Sequence, residues 1–276
     1  MKPGIVHDMP DSEYHSLPSL SSTGARLLLE SPAKFLYQQT HPQPHKDAFD
    51  LGTALHTKVL GVGSGVIGYP PEHLTPSGSV STKAATVEWV AEQRATGLVV
   101  ISPAQMALVD EMAEAVLAHP TARALIEQEG AAAEASVFAT DPVTGVDLRA
   151  RFDLLAAIGV DLKTTAKSAS PAEFERTVVN FGYDVQQEHY RDVHQIVTGD
   201  RLDFVFVVVE TDAPHLVAVH QLDSLWVQMG ATKARRAREL FAECTLNDEW
   251  PGYPENVHLL SPPTYAVYQH EEKYAS

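Results

Sequence analysis

The segment RARFDLLAAIGVDLKTT, residues 149–165, decides the fold, because it reads as two neighbouring β-strands that carry charged residues. Side chains alternate between the two faces of a strand. Two arginines and Asp153 therefore share a face of the first strand, and Asp161 and Lys163 share a face of the second. Buried charges are costly unless they are paired or bound to a metal. We expect these faces to gather two aspartates, a lysine and two arginines at one site.

Two carboxylates on adjacent strands suit Mg²⁺ or Mn²⁺, which favour oxygen ligands and leave room for water and a substrate phosphate. Lys163 lies two residues beyond Asp161 and points into the same space. There it could orient or deprotonate an attacking water, or neutralise a pentavalent phosphate. The alternative is an ion-paired, solvated strand face, and this spacing alone does not choose between the two.

Composition limits the class of protein. With 276 residues and 44% hydrophobic content, the chain can form one large domain or two small ones. We expect neither a membrane span nor a secretory signal. The single cysteine, Cys244, excludes an internal disulfide and suits a reducing cytoplasm. The net charge of −16 argues against a nucleic-acid coat protein, but it is compatible with a nuclease that has a locally basic channel.

We predict one domain over residues 1–276, with three parts. Residues 1–130 are mostly helical, with helices that begin at Ser21 or Ser22 and at Ser31, and with others over about Ala48–Leu60, Thr82–Thr96 and Pro103–Gln128. From Ala132 the apolar period becomes two, which predicts three strands, two helices, two strands and a long helix up to residue 245. Residues 246–276 are predicted to be an extended tail lying on the body. This order predicts an α/β fold with a mixed central sheet flanked by helices.

Two helical motifs accompany the strand pair. LGTALHT places His56 four residues after Gly52, where a glycine lets another backbone come close. QQEHY places Gln186 and Tyr190 on one helical face. Each pattern is weak alone, and a lone helical histidine is more often structural. The sequence contains no H-E-x-x-H zinc motif, no phosphate-binding G-x-x-x-x-G-K-[ST] loop and no G-x-S-x-G nucleophile motif.

Together and in this order, the motifs resemble the RecB-type branch of the PD-(D/E)XK nucleases. G-x-x-x-H lies at Gly52–His56, the first aspartate is Asp153, D-x-K lies at Asp161–Lys163, and Q-x-x-x-Y lies at Gln186–Tyr190. The stretches LSSTGARLLLESPAKFLYQQ, DLGTALHTKVLG, FGYDVQQEHYRD and WPGY further resemble the RecE (exonuclease VIII)-like enzymes of phages and prophages. This resemblance runs from about Leu20 to about Ala266.

The resemblance implies a restriction-endonuclease-like PD-(D/E)XK core and a Mg²⁺-dependent exonuclease in which Mn²⁺ can substitute. Such an enzyme degrades one strand of linear duplex DNA from 5′ to 3′ and leaves a 3′ tail for a single-strand annealing protein. It also implies a cytoplasmic homo-oligomeric ring, a trimer or tetramer. The implied site comprises the metal ligands His56, Asp153, Asp161 and the carbonyl of Leu162, the catalytic Lys163, and Gln186 and Tyr190 beside them.

Further candidates come with alternatives. Glu134 is a candidate metal ligand or a solvated glutamate at a strand end. Arg149 and Arg151 are candidates for phosphate contact, or they pair with the metal-site carboxylates. The cluster TKARRAR is a candidate DNA track or a solvated face that pairs with Glu239 or an adjoining subunit, and it contains Lys233, Arg235 and Arg236.

Two other functions remain open on the sequence. One is a RecB-like nuclease that acts on single strands. The other is a catalytically silent module that binds DNA ends or a recombinase. The four charged or imidazole groups His56, Asp153, Asp161 and Lys163 argue against the silent module, because a cluster of like charges is costly to keep without a use.

Overall fold

A mixed β-sheet with helices on both faces organises the protein, in a computed structural model that describes residues 2–41, 47–63 and 65–274. Predictions that fall on residues 1, 42–46, 64, 275 and 276 lie outside the described residues. The strands are β1 (Gly4–Val6), β2 (Val66–Gly68), β3 (Val99–Ile101), β4 (Ala132–Thr140), β5 (Asp147–Leu155), β6 (Ile158–Thr165), β7 (Asp203–Glu210) and β8 (Val217–His220). The helices are α1 (Asp11–Ser16), α2 (Ser22–Glu30), α3 (Pro32–Thr40), α4 (Asp47–Leu60), α5 (Ala84–Ala95), α6 (Pro103–Ala118), α7 (Pro120–Ile126), α8 (Pro171–Phe181), α9 (Tyr183–Thr198), α10 (Ser224–Asn247) and α11 (Thr264–Tyr274).

The main sheet has the order β1-β4-β5-β6-β7-β8 in the described part of the chain. β6 and β7 are parallel, and the other neighbours are antiparallel. A parallel pair needs a crossover connection, and α8 and α9 provide it. β2 and β3 form a separate parallel pair. The predicted mixed sheet flanked by helices is therefore confirmed.

β4 and β5 form an antiparallel hairpin, and the residues of its turn explain it. The Asp141 carboxylate accepts hydrogen bonds from the Thr144 amide at 2.9 Å and from the Thr144 hydroxyl at 2.6 Å. Gly145 has φ 72°, a left-handed conformation that glycine adopts without strain. Aspartate side chains commonly close turns in this way.

Apolar residues form a separate core on each face of the sheet. Phe152, Phe204 and Phe206 pack toward α2, α9 and α10 on one face. Leu162 and Val207 pack toward α4 and α6 on the other. The sheet is buried on both sides, as the apolar run of β7 requires.

The helix starts follow the predicted caps. Ser21 accepts a hydrogen bond from the Gly24 amide at 3.1 Å, and Ser31 precedes Pro32 at the first turn of α3. The single helix predicted over Pro103–Gln128 is wrong. α6 ends at Ala118 and α7 begins at Pro120. A proline inside a helix lacks the N–H that donates to the preceding turn, and its ring clashes with that turn, so the helix is interrupted here.

The predicted extended tail lying on the body is right only in part. Trp250 packs on Phe35, with ring centroids 5.5 Å apart, and Lys34 Nζ lies 5.8 Å from the ring centroid of Tyr253, so the tail contacts α3 as far as Tyr253. Beyond it, Val257 and Leu259 are each 97% exposed, and the chain then forms α11. Within the described residues, no helix combines the length and apolar character needed to cross a membrane.

Candidate active site

A fork in the sheet makes space for the site. β5 pairs with β6 at Leu154 and Val160, next to the turn that joins the strands. Farther from the turn, β5 pairs instead with Leu20, whose amide donates to the Asp147 carbonyl at 2.8 Å. The two strands therefore separate just beyond their paired residues, and Asp153 and Asp161 are the next residues on each.

His56 and Asp153 meet at Leu162 inside this fork. The Asp153 carboxylate accepts a hydrogen bond from the Leu162 amide at 2.7 Å. His56 Nε2 lies 2.7 Å from the Leu162 carbonyl and donates to it, since a carbonyl only accepts. His56 Nδ1 lies 3.6 Å from Asp153 Oδ2. The carbonyl and imidazole that the sequence resemblance implied as ligands are thus brought together with Asp153.

The close backbone approach expected at Gly52 is not seen. A Cβ built on Gly52 would have Thr164 Oγ1 as its nearest neighbour at 3.9 Å, which is ordinary van der Waals contact. The described residues therefore give no steric reason for glycine at this position of α4.

Glu134 completes a group that can hold a metal ion. His56, Glu134 and Asp153 each offer one ligand atom, and these atoms lie within 4.8 Å of one another. We call these three residues the metal group. The β4–β5 register places Glu134 opposite Asp153. Glu134 has φ 52°, a left-handed conformation that costs a non-glycine residue about 1–3 kcal/mol. Nothing in the sequence signals this backbone conformation, so the sequence supported Glu134 only weakly.

The electrostatics of this group fit a divalent cation. Burial and the neighbouring Asp153 carboxylate raise the pKa of Glu134 to about 7, while His56 opposes the shift. A bound cation would remove the repulsion between the two carboxylates. Two carboxylates and one imidazole form a ligand set that accommodates Mg²⁺ or Mn²⁺.

Asp161 and Lys163 form an ion pair beside the metal group. Lys163 Nζ lies 2.6 Å from Asp161 Oδ2, and Gln186 Nε2 donates to Asp161 Oδ1 at 2.5 Å. Asp161 is only 2% exposed. Both residues flank Leu162, whose backbone contacts His56 and Asp153, so the ion pair lies next to the metal group. That Asp161 is itself a metal ligand stays a prediction.

Lys163 is held as an ammonium. Burial alone would lower the pKa of Lys163, but Asp161, Tyr183 and Asp153 together outweigh burial and raise it. Lys163 Nζ also lies 5.0 Å from the ring centroid of Tyr183, within the range of a cation–π interaction. A protonated lysine stabilises negative charge but cannot accept a proton, so this arrangement favours the electrostatic role over the deprotonation of water. Sequence reasoning missed Tyr183, because only the fold brings the start of α9 over β6.

The expectation that one sheet face gathers all the charged groups is wrong. Asp161 and Lys163 point to the α9 side, whereas Asp153 turns toward His56 on α4. Strict alternation fails at the end of β5, where Phe152 and Leu154 are two residues apart and yet belong to the cores on opposite faces. The aspartates approach each other through the fork, which a strand pattern cannot reveal.

Arg149 and Arg151 hold the N-terminal segment. Arg149 donates to the carbonyl of Tyr14 at 2.8 Å and to that of Leu17, and Arg151 forms an ion pair with Asp11. Each arginine is 8% exposed. Pairing with the metal-site carboxylates, the alternative raised for them, is not their arrangement. Most of their donors serve protein acceptors, which gives both arginines a structural role, although Arg149 Nε is buried without a hydrogen-bond partner. The expected phosphate contact stays a prediction.

The basic residues of α10 also have acidic partners. Lys233 Nζ lies 2.6 Å from the buried carboxylate of Asp184. Arg235 and Arg236 lie 3.9 and 3.4 Å from Glu239 on the same helix. The alternative of a solvated face paired with Glu239 thus describes the two arginines, and DNA contact by the cluster stays a prediction.

A cavity of about 420 Å³ opens at the metal group. Its walls include His56, Glu134, Arg149, Arg151, Asp153 and Tyr190. Tyr190 also packs on Phe152, with ring centroids 5.0 Å apart. Asp161, Lys163 and Gln186 are not among the described residues that line this cavity.

The fold and the site define a PD-(D/E)XK-like protein: a forked mixed sheet carries two aspartates and a D-x-K segment between layers of helices. Residues 21–262 match the family described as "PDDEXK-like domain of unknown function (DUF3799)". The match spans most of the chain, and the protein therefore belongs to this family. A search among curated proteins finds no significant match.

A solved structure shares the fold. It is the crystal structure of a protein from Eubacterium rectale described as a "Putative exonuclease", and it superposes with a TM-score of 0.60. The alignment covers 94% of this chain and 95% of that chain, at 13% sequence identity. At this identity the likeness shows a common architecture.

Proposed function

We propose that the protein is a metal-dependent nuclease that degrades one strand of linear duplex DNA from 5′ to 3′ and leaves 3′ tails for annealing-type recombination. Membership of a PD-(D/E)XK-like family supports the nuclease class. One observation carries the proposal: the potential metal ligands and the Asp161–Lys163 pair meet at Leu162.

The residues divide the work of phosphodiester hydrolysis. His56, Glu134 and Asp153 would hold Mg²⁺ or Mn²⁺, with the Leu162 carbonyl and Asp161 as the further oxygen ligands implied by the resemblance. When bound, the cation supplies Lewis-acid polarisation of the phosphate and acidifies the attacking water.

Lys163 would face the negative charge that develops on the phosphate in the transition state. Asp161 and Tyr183 fix its position, and Gln186 in turn fixes Asp161 through the 2.5 Å hydrogen bond. Such preorganisation matters because a misplaced charge stabilises the transition state poorly. Tyr190 offers a flat, partly apolar wall for the substrate at the cavity.

The finer assignments rest on the resemblance to RecE-like enzymes. These are the 5′-to-3′ polarity, a single-strand annealing protein as partner, a ring of three or four subunits, and a location in the host cytoplasm. A ring would reconcile a net charge of −16 with DNA binding, because basic residues could line its channel. Lys233, Arg235 and Arg236 are the candidates, and affinity for DNA ends that does not change with salt would count against this arrangement.

The test uses a linear duplex labelled separately at each 5′ and 3′ end, incubated with Mg²⁺, with Mn²⁺ or with EDTA. A closed circle and a single strand serve as controls. Early metal-dependent loss of the 5′ label, with the circle intact, is the expected result. Digestion of the single strand alone would favour the RecB-like activity, and end binding without cleavage would favour the silent module.

A further inference from the structure

A second cavity adjoins the metal group. It has a volume of about 500 Å³, and residues 8–12 form much of its wall. Asp11, Gly63, Glu134 and Arg151 line both this cavity and the first one. These four residues, which we call the partition, belong to the walls of both cavities, and one of them, Glu134, belongs to the metal group.

The N-terminal segment, residues 4–17, runs along both cavities. Asp8 and Met9 line the second cavity, Tyr14 and His15 line the first, and Asp11 lines both. This segment precedes residues 21–262, which match the family. The partition is thus built partly from a segment outside the family-matched region.

Several independent contacts hold this segment in place. β1 pairs antiparallel with β4. Arg151 donates from Nη2 to the Met9 carbonyl at 2.9 Å and forms an ion pair with Asp11. Tyr14 is 6% exposed and lies under the Arg151 guanidinium, 4.2 Å from the ring centroid. A strand, an ion pair and a buried aromatic ring together make the segment a fixed wall.

We propose that the N-terminal segment restricts the nuclease to strand ends, with the Asp11–Arg151 pair as the specificity-determining contact. This inference rests on the proposed function. In this proposal, a continuous strand that brought an internal phosphodiester to the metal group would run from the first cavity into the second. The Asp11–Arg151 pair lies in the partition between them, so a strand end can enter the first cavity while a continuous strand cannot pass.

The size of the first cavity agrees with this role. A volume of about 420 Å³ lies within the range of about 300–1,000 Å³ that small-molecule sites occupy. The space suits the terminal part of one strand rather than an uninterrupted duplex. Specificity then comes from exclusion, since the partition blocks the wrong substrate instead of binding the correct one more tightly.

The test compares wild type, Asp11→Ala and a matched control, Glu13→Ala. Asp11 has 48% of its side chain exposed, so its removal should leave the fold intact. Glu13 is exposed on the same helix, and its loss removes the same charge without touching the partition. The substrates are a covalently closed duplex circle with a short unpaired bubble, which offers an internal strand but no end, and the same molecule linearised.

We expect wild type and Glu13→Ala to cut the linear molecule and spare the circle. Asp11→Ala should cut the circle faster than wild type by roughly tenfold or more, the scale on which pocket contacts discriminate substrates, with its rate on the linear molecule close to wild type. An uncut circle in Asp11→Ala, or loss of its linear activity as well, would overturn the inference alone. If wild type cuts neither substrate, the proposed function fails and the inference falls with it.

Discussion

Replacement of Glu134 by glutamine should change how stability depends on pH. The pKa of Glu134 rises from 4.5 to about 7 in the folded protein, because of burial and the Asp153 carboxylate. Between these pH values the folded protein holds a proton that the unfolded chain has released. The free energy of unfolding of the metal-free protein therefore falls as the pH rises through this window, by this group's contribution.

The magnitude follows from the same values. The rise in the pKa of Glu134 from 4.5 to about 7 corresponds to roughly 3 kcal/mol in the free energy of unfolding, at about 1.4 kcal/mol per pKa unit. Glu134 is partly exposed, so solvent screening should reduce this to about 1–2 kcal/mol. Glutamine keeps the shape and carries no charge at any pH. Without metal, Glu134→Gln should thus be more stable than wild type at pH 8 and similar to it near pH 4.

Urea unfolding from pH 4 to 8, with and without Mn²⁺, measures both consequences. Wild type should gain stability from Mn²⁺ at pH 8, by about 2.7 kcal/mol at a hundredfold excess over the dissociation constant, and the variant should lose most of this gain. Glu129→Gln is the control, since Glu129 is exposed and lies just before the same strand. An unchanged pH slope in Glu134→Gln, or equal stabilisation of both proteins by Mn²⁺, would refute the assignment of Glu134.

Three further predictions follow from the described contacts. Lys163→Ala should keep metal and DNA-end binding while cleavage falls by orders of magnitude, whereas Asp161→Ala should lose both metal affinity and cleavage; near-normal turnover in either variant would show that the site is assigned wrongly. Gly52→Ala should stabilise the protein in urea by about 0.5–1 kcal/mol, because α4 has room for a Cβ, and a loss of stability would contradict the geometry. Burial lowers the pKa of His189 to about 4, so stability should fall by up to about 3 kcal/mol as the pH drops from 6.5 to 4; His189→Gln should lack this acid loss, and an unchanged slope in unfolding experiments would refute it.

Local chemistry in the sequence was enough to identify most elements. The caps at Ser21 and Ser31, the Asp141–Gly145 turn and the change of apolar period at Ala132 each depend on residues that are close in the chain. Such signals predict elements well because the interactions that create them are local. Pro120 is a local signal for a helix boundary of the same kind, and the prediction that ignored it merged α6 with α7.

The sequence also contained the order of the site motifs. His56, Asp153, Asp161, Lys163 and Gln186 were all predicted, and the structure brings them to one fork in the sheet. Their arrangement around Leu162 was not predictable from alternation, because alternation fails between Phe152 and Leu154, next to the point where the two strands separate. The C-terminal tail was predicted only in part for a related reason: the sequence alone does not show where the chain stops contacting the sheet and its helices.

The sequence by itself determined most of the elements, since helix caps, turns and strand patterns act over a few positions, and it named most of the candidate site residues. Only the tertiary structure decided that Glu134 joins the metal group, that Tyr183 holds Lys163, and that Asp11 reaches Arg151. Each of these contacts joins residues that are distant in the chain or depends on one unusual backbone angle. Their geometry is set by the packing of the whole sheet and its helices, which no local pattern encodes.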